Sequence, residues 1–434
     1  MLKFTIRTTA WKTTLASLQW FFFIFANTVV VPISVGTAFG LSAAEIAGMM
    51  KSSLVFTGIA CILQGWIGHK FPLMEGHSGI MWGLVLNLGL SASTLQIPLP
   101  EIGGSIAAGM LLAGLVTLIF GAFRLLGFLQ RLFTPMVMSV YLFLLTFQLI
   151  LIFSDGMLAF HEDGSPNGPI SLFSVGVAVF VALLKIKGNE TVGNFSILIG
   201  IVVGWLMFLV LFPAEQTVIE NAHPGLFEFP LFPLGTWHWH PGIVGVTFLA
   251  SIINLTNAIA AVRAASAMMD APVDESRINR SYLLNGFYSI VGSLFGLVSY
   301  APFSSSVGFL ESTRILDRKP FLIGGGIMAV LGLIPTLSAI LSGMPATVGN
   351  AVLFVAYLQL FGTSLKSLNG YGFDSVTIHR IAIPLMTGLA IFAMDPAIFA
   401  GLPPLLQPIL GNGFIVGVLL SLLLEHTFKW DKLA

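Results

Sequence analysis

The chain has 434 residues, 56% of them hydrophobic and only 9% charged, where a soluble domain carries about a quarter charged residues. Its formal net charge is zero and it has one cysteine, Cys61. So little polar surface excludes a soluble enzyme, a secreted module and a disordered chain. Zero net charge gives no bulk pull toward nucleic acid, and a single thiol excludes an internal disulfide and any cysteine-based metal site. What remains is an all-α polytopic membrane protein, for which no cofactor or metal is expected.

A helix needs about 20 residues to cross the hydrocarbon core. The first apolar run, 14–34, lacks a small-residue cleavage signal and reads as a permanent span rather than a removed signal peptide. A second span follows at 45–67. The third element, 74–91, opens Met74-Glu75-Gly76-His77-Ser78-Gly79, turn formers first and helix after. Spans at 104–123, 135–153, 171–187 and 194–213 complete a set of seven. An acidic, aromatic-rich connection, 214–241, holds Trp237, His238, Trp239 and His240, a cluster better suited to an interfacial belt than to a metal. Spans 242–265 and 281–299 come next. The tenth element, 300–316, opens Tyr300-Ala301-Pro302-Phe303 and a serine triplet, again extended first and helical after. Spans 320–342, 345–364, 379–395 and 406–427 close the chain.

Charge placement agrees with these fourteen transmembrane elements. With the N-terminus inside, every Lys and Arg falls in an inside segment except Lys51 and Arg263, which lie within or near the ends of spans. Outside loops carry Glu101, Asp155, Glu162, Asp163, Glu228 and Asp395 instead. This is the positive-inside pattern, with both termini cytoplasmic. Fourteen elements divide into seven and seven, and an odd-numbered half must be inverted relative to its partner. The chain thus divides into a first inverted repeat at 1–213 (elements 1–7), an extracytoplasmic connecting segment at 214–241 and a second repeat at 242–434 (elements 8–14). Broken elements at matching places, the third and the tenth, point to a midplane site. A half-helix that starts inside the membrane leaves free backbone N–H groups and a positive dipole end, tolerated beside a cavity or ligand.

Several segments in chain order resemble the nucleobase–cation symporter-2 family, the uracil and xanthine permeases. Ser17-Leu18-Gln19 with Phe25-Ala26-Asn27-Thr28 and Val29-Val30-Val31-Pro32 is similar to that family's first span. Leu132-Phe133-Thr134-Pro135 with Met138 resembles the start of its fifth. Ser196-Ile197-Leu198-Ile199-Gly200, with Gly204 and Trp205, resembles its seventh, and Ser305-Ser306-Val307-Gly308 with Thr313-Arg314 its tenth. More narrowly, the chain looks like a divergent, purine-permease-like member. The resemblance implies a seven-plus-seven inverted repeat, a core bundle of elements 1–4 and 8–11, a gate bundle of elements 5–7 and 12–14, a homodimer, and inward transport of a nucleobase by proton symport in the cell membrane. The chain also departs from the family. Gln19-Trp20 stands where Gln-His is usual, Asn257 where the eighth span carries a substrate-binding glutamate, Ala261 four positions later, and Ser305 at a second glutamate position. Both expected carboxylates are missing, which puts the family's proton-coupling route in doubt.

A nucleobase is flat, neutral and rich in paired donors and acceptors, so its site needs amides, hydroxyls and backbone groups beside an apolar face. Asn257 offers a carbonyl and two N–H donors, with Asn254 nearly one turn earlier. Ser304, Ser305 and Ser306 supply hydroxyls at the tenth element. Gly76, His77, Ser78 and Gly79 do so at the third, where glycine lets a ligand approach the backbone. Gln19 and Asn27, two turns apart, suit one wall, and Phe25, Trp82 or Phe303 a stacking face. Each also has a plainer reading: the asparagines as interhelical hydrogen bonds, the serines as small packing residues, the aromatics as core. For the proton, Glu75 is the clearest acid near a broken element, with His77 beside it, against a plainer reading as a cytoplasmic-mouth ion pair with Lys70 or Arg263. Lys51 is expected to snorkel outward. An anion transporter of the same fold and an uncoupled facilitator are the alternatives. The chain has no HExxH, no GxxxxGK[ST] and no paired acids inside its spans, which argues against a membrane-embedded enzyme.

Overall fold

The computed structural model describes residues 10–123, 134–160, 164–189, 192–193, 195–213, 228–272, 274–303, 305–399, 401–403, 406–428 and 430. Ser304 lies outside them, and of Asn257 the backbone alone is described. The chain is mostly helical. Helices α1 (Ala10–Ala26) and α2 (Val30–Ala38) form one apolar rod over Trp11–Ala38. Then come α3 (Ala43–Trp66), strand β1 (Glu75–His77), α4 (Gly79–Leu90), the short α5 (Ala92–Leu95), α6 (Leu99–Ala122), α7 (Pro135–Gly156), α8 (Gly168–Lys187) and α9 (Ser196–Leu211). The later part holds α10 (Pro241–Met268), α11 (Glu275–Leu294), strand β2 (Tyr300–Pro302), α12 (Ser305–Thr313), α13 (Arg318–Gly332), α14 (Pro335–Ser342), α15 (Ala346–Lys366), α16 (Ser375–Ala393), the short α17 (Gln407–Leu410) and α18 (Gly413–Thr427).

Local chemistry sets many of the starts. Ser42 and Glu45 form a reciprocal capping box ahead of α3, satisfying two orphan amides. Thr134 caps α7 and Asn167 caps α8, each with a proline in the first turn. Asp274, Asp317, Asp374 and Asn412 accept backbone N–H groups at four further starts. Among the described residues seven helices are long and apolar enough to cross a membrane, eight if α13 and α14 count as one broken span. The stretch 320–342, expected as one span, instead bends by 86° between α13 and α14, because Pro335 has no N–H to continue the ladder. The stretch 406–427 likewise divides at Gly411-Asn412.

Burial separates the helices. Most of α3 is buried, while α8 and α16 expose most of their apolar windows, with Val179, Leu183 and Ile186 turned outward. An apolar outer face of that kind suits lipid. Most of the heaviest helix contacts join early helices to late ones: α3 to α13, α6 to α11, α7 to α15, α1 to α13 and α10 to α6. Glycines allow two of these approaches. A Cβ on Gly58 would sit 2.5 Å from the Gly325 carbonyl oxygen, and one on Gly114 2.8 Å from that of Gly286.

Candidate functional site

The two interrupted elements meet. Strands β1 and β2 pair antiparallel, with Glu75 opposite Pro302, Gly76 opposite Ala301 and His77 opposite Tyr300. All six residues are buried. The ladder extends at both ends: Ser78 donates its N–H to the Ser299 carbonyl at 2.9 Å, and Phe303 donates to that of Met74 at 2.8 Å. Each strand runs straight into a helix, α4 after β1 and α12 after β2. Two short strands alone would be marginal; here α3, α10 and α11 pack around them.

Side chains tie this crossing to its surroundings. Asn254 of α10 accepts from the Ser78 hydroxyl at 2.6 Å and donates to the Tyr300 carbonyl at 3.1 Å, so one amide holds both elements. The Ser78 side chain makes no cap bond to α4, and the first amides of that half-helix keep their donor capacity. Met74 donates its N–H to the Ser306 hydroxyl at 3.0 Å, binding the start of α12 back to the first strand. His77 Nε2 and the Ser53 hydroxyl are 2.7 Å apart, and the Thr57 and Tyr300 hydroxyls 3.0 Å. The His77 ring lies 5.0 Å from that of Tyr300.

The strand alternates faces. Glu75 and His77 turn toward α3, whereas a Cβ on Gly76 would meet Met74 Cε at 2.8 Å and the Phe303 ring at 3.1 Å. Gly79, on the first turn of α4, lies against Tyr357 of α15. Trp82, one turn on, donates its indole N–H to Ser34 at 2.9 Å and packs on Phe153 and Tyr357.

The expected site residues therefore fall into groups. His77, Ser78, Gly79 and Ser306 are at the crossing. Ser305 stands exposed at the first position of α12. The position of Asn257 is on α10, nearly a turn beyond Asn254; its side chain and Ser304 lie outside the described residues. Gln19 is half-buried on α1, and Asn27 donates to the Phe23 carbonyl of its own rod at 2.8 Å. From the first span Ser34 touches α4, and Trp20 and Phe23 touch α12, the Trp20 ring edge-on to Phe309 at 4.7 Å and the Phe23 ring 4.6 Å from it. Ser53, Thr57, Tyr300 and Tyr357 were not among the expected residues. Tyr300 had a signal, as the first residue of a broken element; the others sit in ordinary helical runs.

Two ionisable side chains end up in places other than the simplest expectation. Lys51, expected to snorkel, is buried and donates to the Glu228 carbonyl at 2.9 Å, with its ammonium 4.6 Å from the centre of the Phe229 ring. Glu75 is wholly buried, and the ionisable side chain set against it is His69, at 3.9 Å. A narrow cleft opens beside the crossing, lined by Val35, Val85, Met110, Phe232, Leu234 and Val298 with several glycines and Ser293. Its side chains are nearly all apolar. The concentration of amides, hydroxyls and half-helix starts is at the strands.

This architecture is that of a polytopic membrane transporter whose chain breaks twice at its centre. Residues 11–397 match the model of the Permease family that covers xanthine and uracil permeases, and the chain belongs to that family, the nucleobase–cation symporter-2 family. It is 26% identical over 433 residues to the putative purine permease YwdJ of Bacillus subtilis (strain 168), covering 97% of each chain. It is 25% identical over 425 residues to the uric acid permease PucK of the same organism, covering 95% of this chain and 94% of that one. Among solved structures it is similar to the transmembrane domain of a cyanobacterium bicarbonate transporter, BicA, with a TM-score of 0.61 at 13% identity over 94% of this chain and 98% of that one. That last likeness concerns the fold alone. The family is one of permeases, not enzymes.

Proposed function

We propose that the protein imports a nucleobase, a purine or a xanthine- or uracil-like heterocycle, by proton symport across the cell membrane. The observation that carries this reading is the paired crossing of β1 and β2, with two half-helices starting beside it, in a chain of the permease family. Relatives along nearly the whole length are permeases for uric acid and xanthine. A neutral heterocycle suits what the crossing offers: backbone amides at the start of α4, hydroxyls of Ser305 and Ser306, the amide of Asn257, and the Phe303 ring as an apolar face. Gly79 leaves the backbone open at one edge.

The packing pattern supports the fourteen-element, seven-plus-seven inverted repeat. In that scheme α3 is element 2, α6 element 4, α11 element 9 and α13 element 11. Shifting each by seven turns the α3–α13 pair into the α11–α6 pair, and α1–α13 into α10–α6. All four are among the heaviest contacts. The β1–β2 and α7–α15 pairs map onto themselves. An accidental bundle would have no reason to obey that exchange. The same scheme places both termini in the cytoplasm and divides the core bundle, elements 1–4 and 8–11, from the gate bundle, elements 5–7 and 12–14. A homodimer belongs to the same proposal and rests on the family resemblance alone. The anion-transporter alternative is not favoured: the bicarbonate transporter shares the fold at 13% identity, and the full-length relatives are nucleobase permeases.

Uptake of radiolabelled uracil, xanthine, hypoxanthine, adenine and urate in a strain without its own permeases tests the reading. Saturable uptake of one base, stimulated by external acid, is expected. Uptake of none of them, with sulfate or bicarbonate transported instead, would overturn it.

A further inference from the structure

The reading above leaves open where the proton sits, since the family resemblance puts Asn257 and Ser305 where carboxylates are expected. The surroundings of Glu75 answer differently from its neighbourhood in the sequence. The carboxyl is fully buried, and neither oxygen has a hydrogen-bond partner among the described residues. Its backbone is held tightly: the N–H points to Cys61 Sγ at 3.3 Å, and the carbonyl accepts from that thiol at 3.4 Å. The side chain therefore has a fixed station on the α3 side of β1.

His77, the nearest histidine in sequence, pairs with Ser53 and Tyr300. The imidazole facing Glu75 belongs to His69, also fully buried, with Nε2 3.9 Å from Oε2. Its tautomer follows from the other ring nitrogen. The Phe71 N–H donates to Nδ1 at 3.0 Å, so Nδ1 presents a lone pair and the ring's single hydrogen is on Nε2, aimed at the carboxyl. A second proton on the ring would set Nδ1–H against the Phe71 N–H. The Phe71 N–H thereby holds His69 neutral, and the group free to gain or lose a proton is Glu75.

The remaining neighbours fit a neutral acid better than an ion. Gln64 faces the carboxyl from α3; its amide nitrogen is engaged by Asn285 at 2.7 Å and the Ser281 carbonyl at 3.1 Å, while its Oε1 has no donor. The other titratable groups nearby are the Cys61 thiol on α3, Tyr288 from α11 and Tyr300 from β2, none of them a cation at neutral pH. A buried carboxylate without a cation is costly in the bilayer interior, and a protonated one far less so.

We propose that Glu75 is the proton-binding group of this transporter, with the neutral imidazole of His69 facing its carboxyl 3.9 Å away, and that proton and cargo occupy opposite faces of β1. The adjacent Gly76 turns the other way, onto Phe303 of the second broken element. Loading a proton from water onto a Glu75 oxygen removes a buried charge from a strand that is itself part of the cargo site. This rests on the proton-symport reading, and the experiment separates the two.

Purified wild type and Glu75→Gln are compared in two ways. Infrared difference spectra on acidification, without any cargo, should show in the wild type and in Glu75→Asp the high-frequency stretch of a buried, protonated carboxyl, apart from the lower-frequency band of the chain's other acids, and should lack that buried-acid band in Glu75→Gln. His69→Gln should keep the band and shift its midpoint pH, which a merely structural role would leave in place. In proteoliposomes one proton per cargo drives about tenfold accumulation per pH unit. The wild type should approach that ratio. Glu75→Gln should exchange labelled for unlabelled base yet fall to a ratio of about one. A band that persists in Glu75→Gln, continued accumulation by that variant under a proton gradient, or wild-type accumulation driven by a sodium gradient alone would each overturn the proposal. Loss of the band in Glu75→Gln alongside a wild type that carries no base upholds the proton site and refutes the transport reading.

Discussion

Asn254 and Asn257 lie nearly one turn apart on α10. Asn254 is structural by its contacts, since its carbonyl and amino groups are both taken by the crossing. Replacing it by alanine leaves the Ser78 hydroxyl and the Tyr300 carbonyl short of a partner inside the protein, a cost of about 1–3 kcal/mol. Asn254→Ala should therefore melt earlier in detergent, with a lower yield of folded protein. Asn257 faces the opposite expectation. If its amide reads the edge of a base, Asn257→Ala should weaken binding by about 1–3 kcal/mol while thermal stability without cargo stays near wild type. Titration calorimetry and thermal melts on the same samples distinguish the two. An affinity equal to wild type would remove Asn257 from the site. Polar residues inside a span draw attention in a sequence, but composition alone does not tell which is a staple and which a ligand. Asn254 reads as a ligand candidate until its hydrogen bonds are traced.

At the scale of elements, the interruption of the chain was legible and its consequence was not. Glu75-Gly76-His77 and Tyr300-Ala301-Pro302 sit where turn formers and a proline interrupt an apolar run, so extended starts were expected at both places. Which residues would face each other was not, because register across 225 positions depends on how α3, α10 and α11 pack around the strands. The bend between α13 and α14 had its signal in Pro335, overlooked because the apolar run 320–342 continues through it. Helix contacts depend on small residues in the same hidden way. Gly58 of α3 rests on the Gly325 carbonyl and on Ala329 of α13, and a larger side chain has nowhere to go. Gly58→Val should force the two helices apart, at roughly 1–3 kcal/mol. A fall in melting temperature, with transport reduced in proportion to the folded fraction, is the expected result. An unchanged melt would mean the helices slide freely.

For the whole molecule, the connecting segment acts as a strap. Residues 228–240 run from Lys51 of α3 across α6 to the start of α10. Their backbone lies directly on Gly103 and Gly104 at Leu234 and Thr236, and Gly235 lies on Pro100. The Phe232 N–H donates to the Leu294 carbonyl at 2.8 Å, closing the strap onto α11. Lys51 anchors one end through the Glu228 carbonyl and the Phe229 ring. Lys51→Met keeps the apolar stem and removes the ammonium. It should cost roughly 2 kcal/mol through the lost charged hydrogen bond and cation–π contact and raise proteolytic cleavage within 214–241. Protection equal to wild type would show that the glycine contacts alone hold the strap.

Composition, the lengths of the apolar runs and the placement of Lys and Arg were enough to establish a multispanning membrane protein, because water and lipid act on every residue independently of its partners. The ordered short motifs were enough to indicate the family. The tertiary structure alone decided which side of β1 each residue takes, that His69 rather than His77 faces Glu75, and that Lys51 turns to the strap instead of the membrane surface. Those outcomes depend on pairings between residues far apart in the chain, and a hydrogen bond or a buried charge has no meaning until its partner is in place.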